Sequence, residues 1–384
     1  MQTIRYGDEG LYVRYLQKLL ERSGEEVGEA DGVFGRRTLR AVTSFQTKNG
    51  LTADGVVGKM TWAALYPCLI GSTVAGPLPF DVVFSDLPYS AFLTAAVIEG
   101  LAARYPFLER FSIGGSVMGR AIEAIRIGKG PVKVGINAAH HANEWITAPL
   151  TLMFLEQYAK AYASGGVIKG VPAKELYNTS TLVLVPLVNP DGVDLVTGAL
   201  SESDSYYQSA KALAEFYPSI PFPNGWKANI LGVDLNLGYP AGWENARMIK
   251  FAQGFIRPGP RDYVGTHPLE APEDRAMFDL TNREAFDRTI AFHTQGGEIY
   301  YEYQGFVPPG SLSLVERFSE QSGYRVASVP KNSSFAGYKD WFINTFRKSG
   351  FTVEAGRGEN PLPMSDLSAL YAENEGIFTA ILST

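Results

Sequence analysis

Near the N-terminus the apolar residues recur three and four positions apart. Leu11, Val13, Leu16, Leu19 and Leu20 form one stripe, and Val42 and Phe45 continue a second, which is the spacing of amphipathic helices. The segments ADGVFGRRTLRAV (residues 30–42) and ADGVVGKMTWAAL (residues 53–65) repeat one pattern twenty-three residues apart. In each copy Asp-Gly supplies a turn and a second glycine, Gly35 or Gly58, a flexible point. Thr38 or Thr61 then stands where the apolar spacing becomes helical. Three short helices are predicted over residues 1–66. The following stretch, PCLIGSTVAGPLPFDVV, is rich in proline, glycine and small residues and predicts a linker over 67–89.

From residue 90 the pattern changes. Helical stretches over 90–105, 146–164, 311–322 and 366–382 alternate with short β-branched runs: AIEAIRIG, VKVGINAA, TLVLVPLV, TIAFHT and FTVEAG. Strands alternating with helices predict an α/β domain over 90–384, with a mixed, mostly parallel sheet covered by helices on both faces. Sites in such sheets gather at the carboxyl ends of the strands.

Composition narrows the chemistry. The 384 residues have a formal charge of −6 and no cluster of Lys and Arg, so nucleic acid is not an expected partner. A single cysteine, Cys68, excludes an internal disulfide and any cysteine-based zinc site. The opening MQTIRYGDEG lacks the apolar core of a signal peptide, and no run approaches the ~18 apolar residues of a membrane span.

Two of the four histidines stand side by side in NAAHHANEW, residues 137–145. His141 lies three residues before Glu144, whereas His140 lies three before Asn143, a poor metal ligand, so the spacing favours His141. Zinc takes His nitrogen and carboxylate oxygen, and a catalytic site keeps three protein ligands and an open position. His141, Glu144 and His293 fill that quota, each at or just after a predicted strand end. Glu354, ending another strand, is a candidate base for a water whose pKa zinc lowers toward ~7. Lys227 in GWKAN is available to a developing oxyanion.

These motifs carry two resemblances. Gly7, Gly10, Leu16, Gln17, the two ADGV segments and Trp62 resemble the peptidoglycan-binding three-helix module of cell-wall enzymes, which implies a wall-binding fold. HANEW, VNPDG (residues 188–192), GVDLN (residues 232–236) and FTVEAG resemble, in order, the motifs of the carboxypeptidase A family of zinc metallopeptidases. That resemblance implies one zinc held by His141, Glu144 and His293, Glu354 as general base, Asn236 in a substrate-binding segment, and Lys227 in the place of an arginine that polarises the scissile carbonyl. It gives His140 no ligand role.

The pattern then breaks. The Asn-Arg pair with which such carboxypeptidases clamp a terminal carboxylate is here Asn236-Leu237, and leucine binds no carboxylate. The specificity-loop tyrosine has no counterpart near residues 332–334, while YKDW (residues 338–341) resembles the Asp-Trp segment of that loop, which implies a place for Lys339 toward the side-chain pocket. WKAN, GVDLNLGYPAGWE, GYKDWFI and TVEAGRGENPLP together resemble bacterial γ-D-glutamyl-diaminopimelate endopeptidases. The resemblance implies a bacterial enzyme of the cytoplasm, spore or cell wall acting on peptidoglycan and muropeptides, with Lys339 and Arg357 meeting the charged end of diaminopimelate. Two alternatives are a metallocarboxypeptidase of altered specificity and a catalytically dead wall-binding protein. The intact set His141, Glu144, His293 and Glu354 argues against the second.

Overall fold

The computed structural model describes residues 3–65, 81–330 and 333–383. Cys68, Asn332 and residues 67–80 of the expected linker lie outside the described residues. By compactness the chain divides into Met1–Phe84 with Phe92–Glu109, and Ser85–Ala91 with Arg110–Thr384.

The first unit contains the three expected helices, α1 (Leu11–Arg22), α2 (Arg36–Lys48) and α3 (Lys59–Leu65), and also α4 (Ala91–Arg104), a helix the sequence pattern assigned to the large domain. The internal repeat is a repeat of hydrogen bonds. The Gln17 side-chain amide donates to Asp31 Oδ1 (2.9 Å), the Val33 carbonyl (3.1 Å) and Thr38 Oγ1 (3.0 Å), and its oxygen accepts from Gly32 N at 2.8 Å. Gln46 does the same one copy later, donating to Asp54 Oδ1, the Val56 carbonyl and Thr61 Oγ1 and accepting from Gly55 N. Each Asp-Gly turn is thus pinned by a buried glutamine from the preceding helix. Gly32 and Gly55 have φ of +80° and +72°, which explains glycine after each aspartate.

The second unit is built on ten strands: β1 (Glu109–Gly115), β2 (Ala121–Gly128), β3 (Val132–Ala138), the short pair β4 (Val167–Ile168) and β5 (Val171–Pro172), then β6 (Ser180–Val185), β7 (Arg288–His293), β8 (Glu298–Tyr300), β9 (Arg325–Val326) and β10 (Ser349–Glu354). Eight form one sheet in the order β1-β2-β6-β3-β7-β10-β8-β9. Its centre is parallel: β3 pairs with β6 and β7, and β7 with β10. β2 joins β6 and β8 joins β10 antiparallel, so the sheet is mixed and mostly parallel, as the pattern implied. Helices α5 (Thr147–Ser164), α6 (Ala173–Thr179), α7 (Pro190–Thr197), α8 (Ser205–Ala214), α9 (Trp243–Ala252), α10 (Pro272–Glu284), α11 (Ser311–Ser322), α12 (Tyr338–Phe346) and α13 (Leu367–Leu382) complete the unit.

The β7 side chains show why both faces are covered. Phe292 stacks on Phe378 of α13 at 4.7 Å, and Phe378 on Phe154 of α5 at 4.5 Å. The next residue back, Ala291, packs in the opposite core with Met277 and Leu280 of α10 and Trp341 and Phe342 of α12. Alternation across a strand sends successive side chains to opposite faces, and here both faces are apolar. Among the described residues no helix is long and apolar enough to cross a membrane.

Candidate active site

Strands β3, β7 and β10 deliver their carboxyl ends to one place. Glu354 and His293 are register partners across the β10–β7 ladder, and Ala355 N donates to the His293 carbonyl at 2.8 Å. Past β3 the chain makes one turn of 3₁₀ helix, Ala142–Glu144, which brings His141 and Glu144 to the same side. Thr147 fixes this turn: its hydroxyl donates to the Glu144 carbonyl and accepts from Ala139 N.

The VNPDG loop serves as a clamp. Asn189 Nδ2 donates to the His140 and Ala228 carbonyls, both at 3.0 Å, tying the histidine turn to the segment that carries Lys227. A Cβ on Gly192 would stand 2.7 Å from the Ala228 carbonyl oxygen, so this close approach requires glycine.

At the centre His141 Nδ1 lies 2.9 Å from Glu144 Oε1, His293 Nδ1 lies 2.8 Å from Glu144 Oε2, and the two Nδ1 atoms are 3.2 Å apart. His141 Nε2 lies 3.1 Å from Asp234 Oδ1. An ionised carboxylate only accepts, so Nε2 carries the proton and Nδ1 turns a lone pair toward Glu144 and His293. Acceptors therefore face acceptors in a buried site, an arrangement that needs a cation. Burial opposes a second proton on His141, yet the Glu144 charge raises this imidazole to about 9. A divalent metal answers the same need. Zinc–nitrogen bonds of about 2.0–2.1 Å place tetrahedral ligands about 3.3 Å apart, and these donor atoms already converge to similar separations. Among the described residues, His141, Glu144 and His293 are the group with metal-ligating geometry, and the donor set fits zinc.

His140 is excluded from that group. Its Nε2 lies 3.1 Å from the Tyr239 hydroxyl, and burial holds its pKa well below the ordinary value, so it is a neutral packing partner. Lys227 Nζ lies 2.8 Å from Glu144 Oε1; burial pulls its pKa down, but Glu144 outweighs this and keeps it cationic. Burial raises the Glu354 carboxyl above its usual range, against the pull of His293.

A model of the zinc carboxypeptidase family matches residues 94–375. The chain belongs to the zinc carboxypeptidase family. A peptidoglycan-binding domain model matches residues 9–65. The chain is 46% identical over 283 residues to gamma-D-glutamyl-L-diamino acid endopeptidase 1 of Lysinibacillus sphaericus, covering 74% of this chain and 69% of the relative. It is 40% identical over 275 residues to the uncharacterized protein YqgT of Bacillus subtilis (strain 168), covering 71% of each. Among solved structures, carboxypeptidase A from Helicoverpa armigera shares the fold with a TM-score of 0.57 at 19% identity, over 78% of this chain and 74% of that one. The chain thus joins a zinc-peptidase domain to a peptidoglycan-binding domain.

The cavity at this site has a volume of about 950 Å³ and is lined by His141, Lys227, Asn236, Lys339 and Glu354, among others. Asn236 Oδ1 accepts from Tyr338 N, which leaves its amide hydrogens for the cavity. Leu237 also lines the cavity, and it packs with Trp243, Ala246, Val264 and Ala336; an apolar cluster occupies the place of the carboxylate clamp. Lys339 is 4% exposed and donates to Asp340 Oδ1 at 2.6 Å and to the Glu302 carbonyl at 2.5 Å. Arg357 is not brought to the cavity lining. Its guanidinium stands 4.0 Å from Glu373 and 5.8 Å from the Tyr324 ring centroid on an exposed surface, while the residues after it, Gly358, Glu359, Asn360 and Pro361, line the cavity.

Sequence reasoning missed two residues. Asp234 lies inside the GVDLN motif, and it both orients His141 and receives Asp262 N at 3.0 Å; burial would raise its carboxyl, but His141 holds it below the usual range. Asp340 stands beside Lys339 in YKDW, and an acidic neighbour of a pocket lysine was the available signal.

Proposed function

We propose that this enzyme hydrolyses the amide between the γ-carbonyl of D-glutamate and diaminopimelate in peptidoglycan stem peptides, with one zinc per chain. The observation that carries the reading is the buried Lys339–Asp340 pair in a cavity that has Leu237 instead of a carboxylate-binding arginine. The far end of diaminopimelate presents a carboxylate and an ammonium together. Lys339 meets the first and Asp340 the second, so a zwitterionic head replaces the intact pair without leaving an unpaired buried charge. The printed name of the Lysinibacillus relative, a γ-D-glutamyl-L-diamino acid endopeptidase, supports the same substrate class.

His141, Glu144 and His293 hold the metal. Zinc there supplies Lewis acidity toward water and carbonyl oxygen. Glu354 takes the proton as water adds to the γ-carbonyl carbon, and delivers it to the diaminopimelate nitrogen as the C–N bond breaks. The products are a γ-carboxylate and a free amine. Lys227 Nζ donates to the carbonyl oxygen as negative charge develops on it. Asn236 offers its amide hydrogens to the substrate main chain.

The N-terminal module over 1–66 binds the wall, and residues 67–89 link it to a catalytic domain over 90–384. Tethering raises the local concentration of enzyme on insoluble substrate. The test is mass spectrometry of purified muropeptides and of sacculi digested by the full chain and by a variant lacking residues 1–66, each with and without chelator. Release of diaminopimelate-containing fragments that chelator abolishes is expected, with the deletion costing about tenfold more on sacculi than on soluble peptides. Efficient trimming of ordinary α-linked peptides instead would refute the bond assignment. Equal losses on both substrates would refute the targeting role.

A further inference from the structure

Leu237 removes one cation from the cavity, yet the loop beside Lys227 brings another. The amides of Lys227 and Ala228 both donate to the Pro260 carbonyl, at 2.7 and 3.0 Å. Asp262 N donates to Asp234 Oδ2 at 3.0 Å and Asp234 N to the Tyr263 carbonyl at 2.8 Å. Residues 260–263 are therefore tied both to the lysine segment and to the aspartate that orients His141. Arg261, between these ties, lines the cavity. Its Nε donates to Asp262 Oδ2 at 2.6 Å, while Lys250 Nζ takes Asp262 Oδ1 at 2.5 Å. Asp262 has φ +65°, a left-handed conformation that a non-glycine residue holds only when its surroundings impose it. Both oxygens of Asp262 are thus engaged. The Arg261 Nη1 and Nη2 groups have no hydrogen-bond partner among the described residues, and the Arg261 side chain is 42% exposed.

The result is a forked donor, braced through Nε, with its free edge available on the wall that holds Lys227. Such a fork matches a carboxylate in planar, two-point contact. On this wall Lys227 is paired with Glu144, Lys250 with Asp262, and Asp234 is occupied by His141 and backbone amides. The outer edge of the Arg261 guanidinium is the cationic donor left for an anion.

We infer that Arg261 is a specificity-determining residue that binds the free α-carboxylate of the γ-linked glutamyl residue. This rests on the γ-D-glutamyl reading above. In a γ-linked peptide the scissile carbonyl is the side-chain carbonyl, and the α-carboxylate stands four bonds away on the acyl side. An α-linked peptide has no such group there, and amidation to isoglutamine neutralises it. With Lys227 at the carbonyl oxygen, the neighbouring loop is the part of the wall that this carboxylate reaches. Lys339 and Asp340 then serve the diaminopimelate side, and Arg261 the glutamyl side.

The experiment compares kcat and KM of the zinc-loaded full chain on L-Ala-γ-D-Glu-diaminopimelate and on the same peptide with the glutamyl α-carboxylate amidated. The wild type should favour the acid by about tenfold to a hundredfold in kcat/KM, the range of a hydrogen bond to a charged group, with most of the difference in KM. Arg261→Gln should lose that factor on the acid and change by less than about threefold on the amide, with zinc content unaltered. Arg261→Lys, which keeps the charge without the fork, should fall between the two. Inhibition of the wild type by L-Ala-D-Glu and by L-Ala-D-isoglutamine repeats the comparison without any variant, and the acid should bind tighter by a similar factor. Equal treatment of acid and amide by the wild type, or parallel losses on both in Arg261→Gln, would overturn the role of Arg261. Cleavage of neither γ-linked peptide would instead overturn the underlying γ-D-glutamyl reading.

Discussion

Gln17 and Gln46 in the N-terminal unit and Glu144 in the sheet domain are buried to the same degree, each 1% exposed, and their surroundings are opposite. Each glutamine meets acceptors with its NH₂ and a backbone donor with its oxygen, so the buried polar atoms answer one another. Glu144 faces two imidazole nitrogens across 2.8–2.9 Å, with Lys227 as a neighbouring cation. Burial therefore does not separate a structural polar residue from a functional one. Complementarity does. Where donors meet acceptors the network specifies a turn, and where acceptors meet acceptors the protein has built a cation site.

The largest effects should come from breaking the acceptor set. His141→Ala should reduce bound zinc from about one per chain to background and abolish peptidase activity, while His140→Ala, which removes the partner of Tyr239 and a ring packed beside His293 and Tyr338, should retain the metal. Elemental analysis of both variants checks this, and equal metal loss in the two would erase the distinction. Glu354→Gln should lower kcat by about 10²- to 10⁴-fold with zinc content unchanged, because this residue stands beside the nest and is not one of the ligands. Asp234→Asn keeps an acceptor for His141 but removes the charge behind it, and should weaken zinc about 10- to 100-fold in a chelator competition. The smallest effect belongs to the module. Gln17→Leu or Gln46→Leu strands the Gly32 or Gly55 amide and should cost about 1–3 kcal/mol, read as a lower unfolding midpoint, with hydrolysis of soluble peptides untouched. Similar losses for both glutamines would sharpen the equivalence of the repeats. Lost activity in either would break the separation between structural and catalytic polar groups.

The proposed metal ligands were legible because strand ends announce them. VKVGINAA, TIAF and FTV are runs that stop at the His140-His141 pair, at His293 and at Glu354, and a parallel sheet brings such ends together whatever lies between. Two further helices were legible: the stretch expected over 311–322 is α11 (Ser311–Ser322), and that over 146–164 begins one residue later, at Thr147. Helices α6 to α10 were not, since glycine- and proline-rich turns interrupt the chain around them. Loop side chains were the least legible. Arg357 follows Glu354 by three residues and leaves the site, whereas Arg261 is remote from every ligand in sequence and enters it. No periodicity governs where a loop residue points; hydrogen bonds such as Lys227 N to the Pro260 carbonyl decide it.

The β10–β7 register has a consequence for how such an enzyme acquires new tastes. Because Glu354 and His293 are neighbours on one backbone ladder, the reacting groups keep their spacing through main-chain bonds that no side-chain change in the surrounding loops disturbs. The residues proposed to choose the substrate, Leu237, Lys339 and Arg261, lie on segments outside that ladder. Inheritance can therefore rewrite the menu one loop at a time while the blade stays sharp.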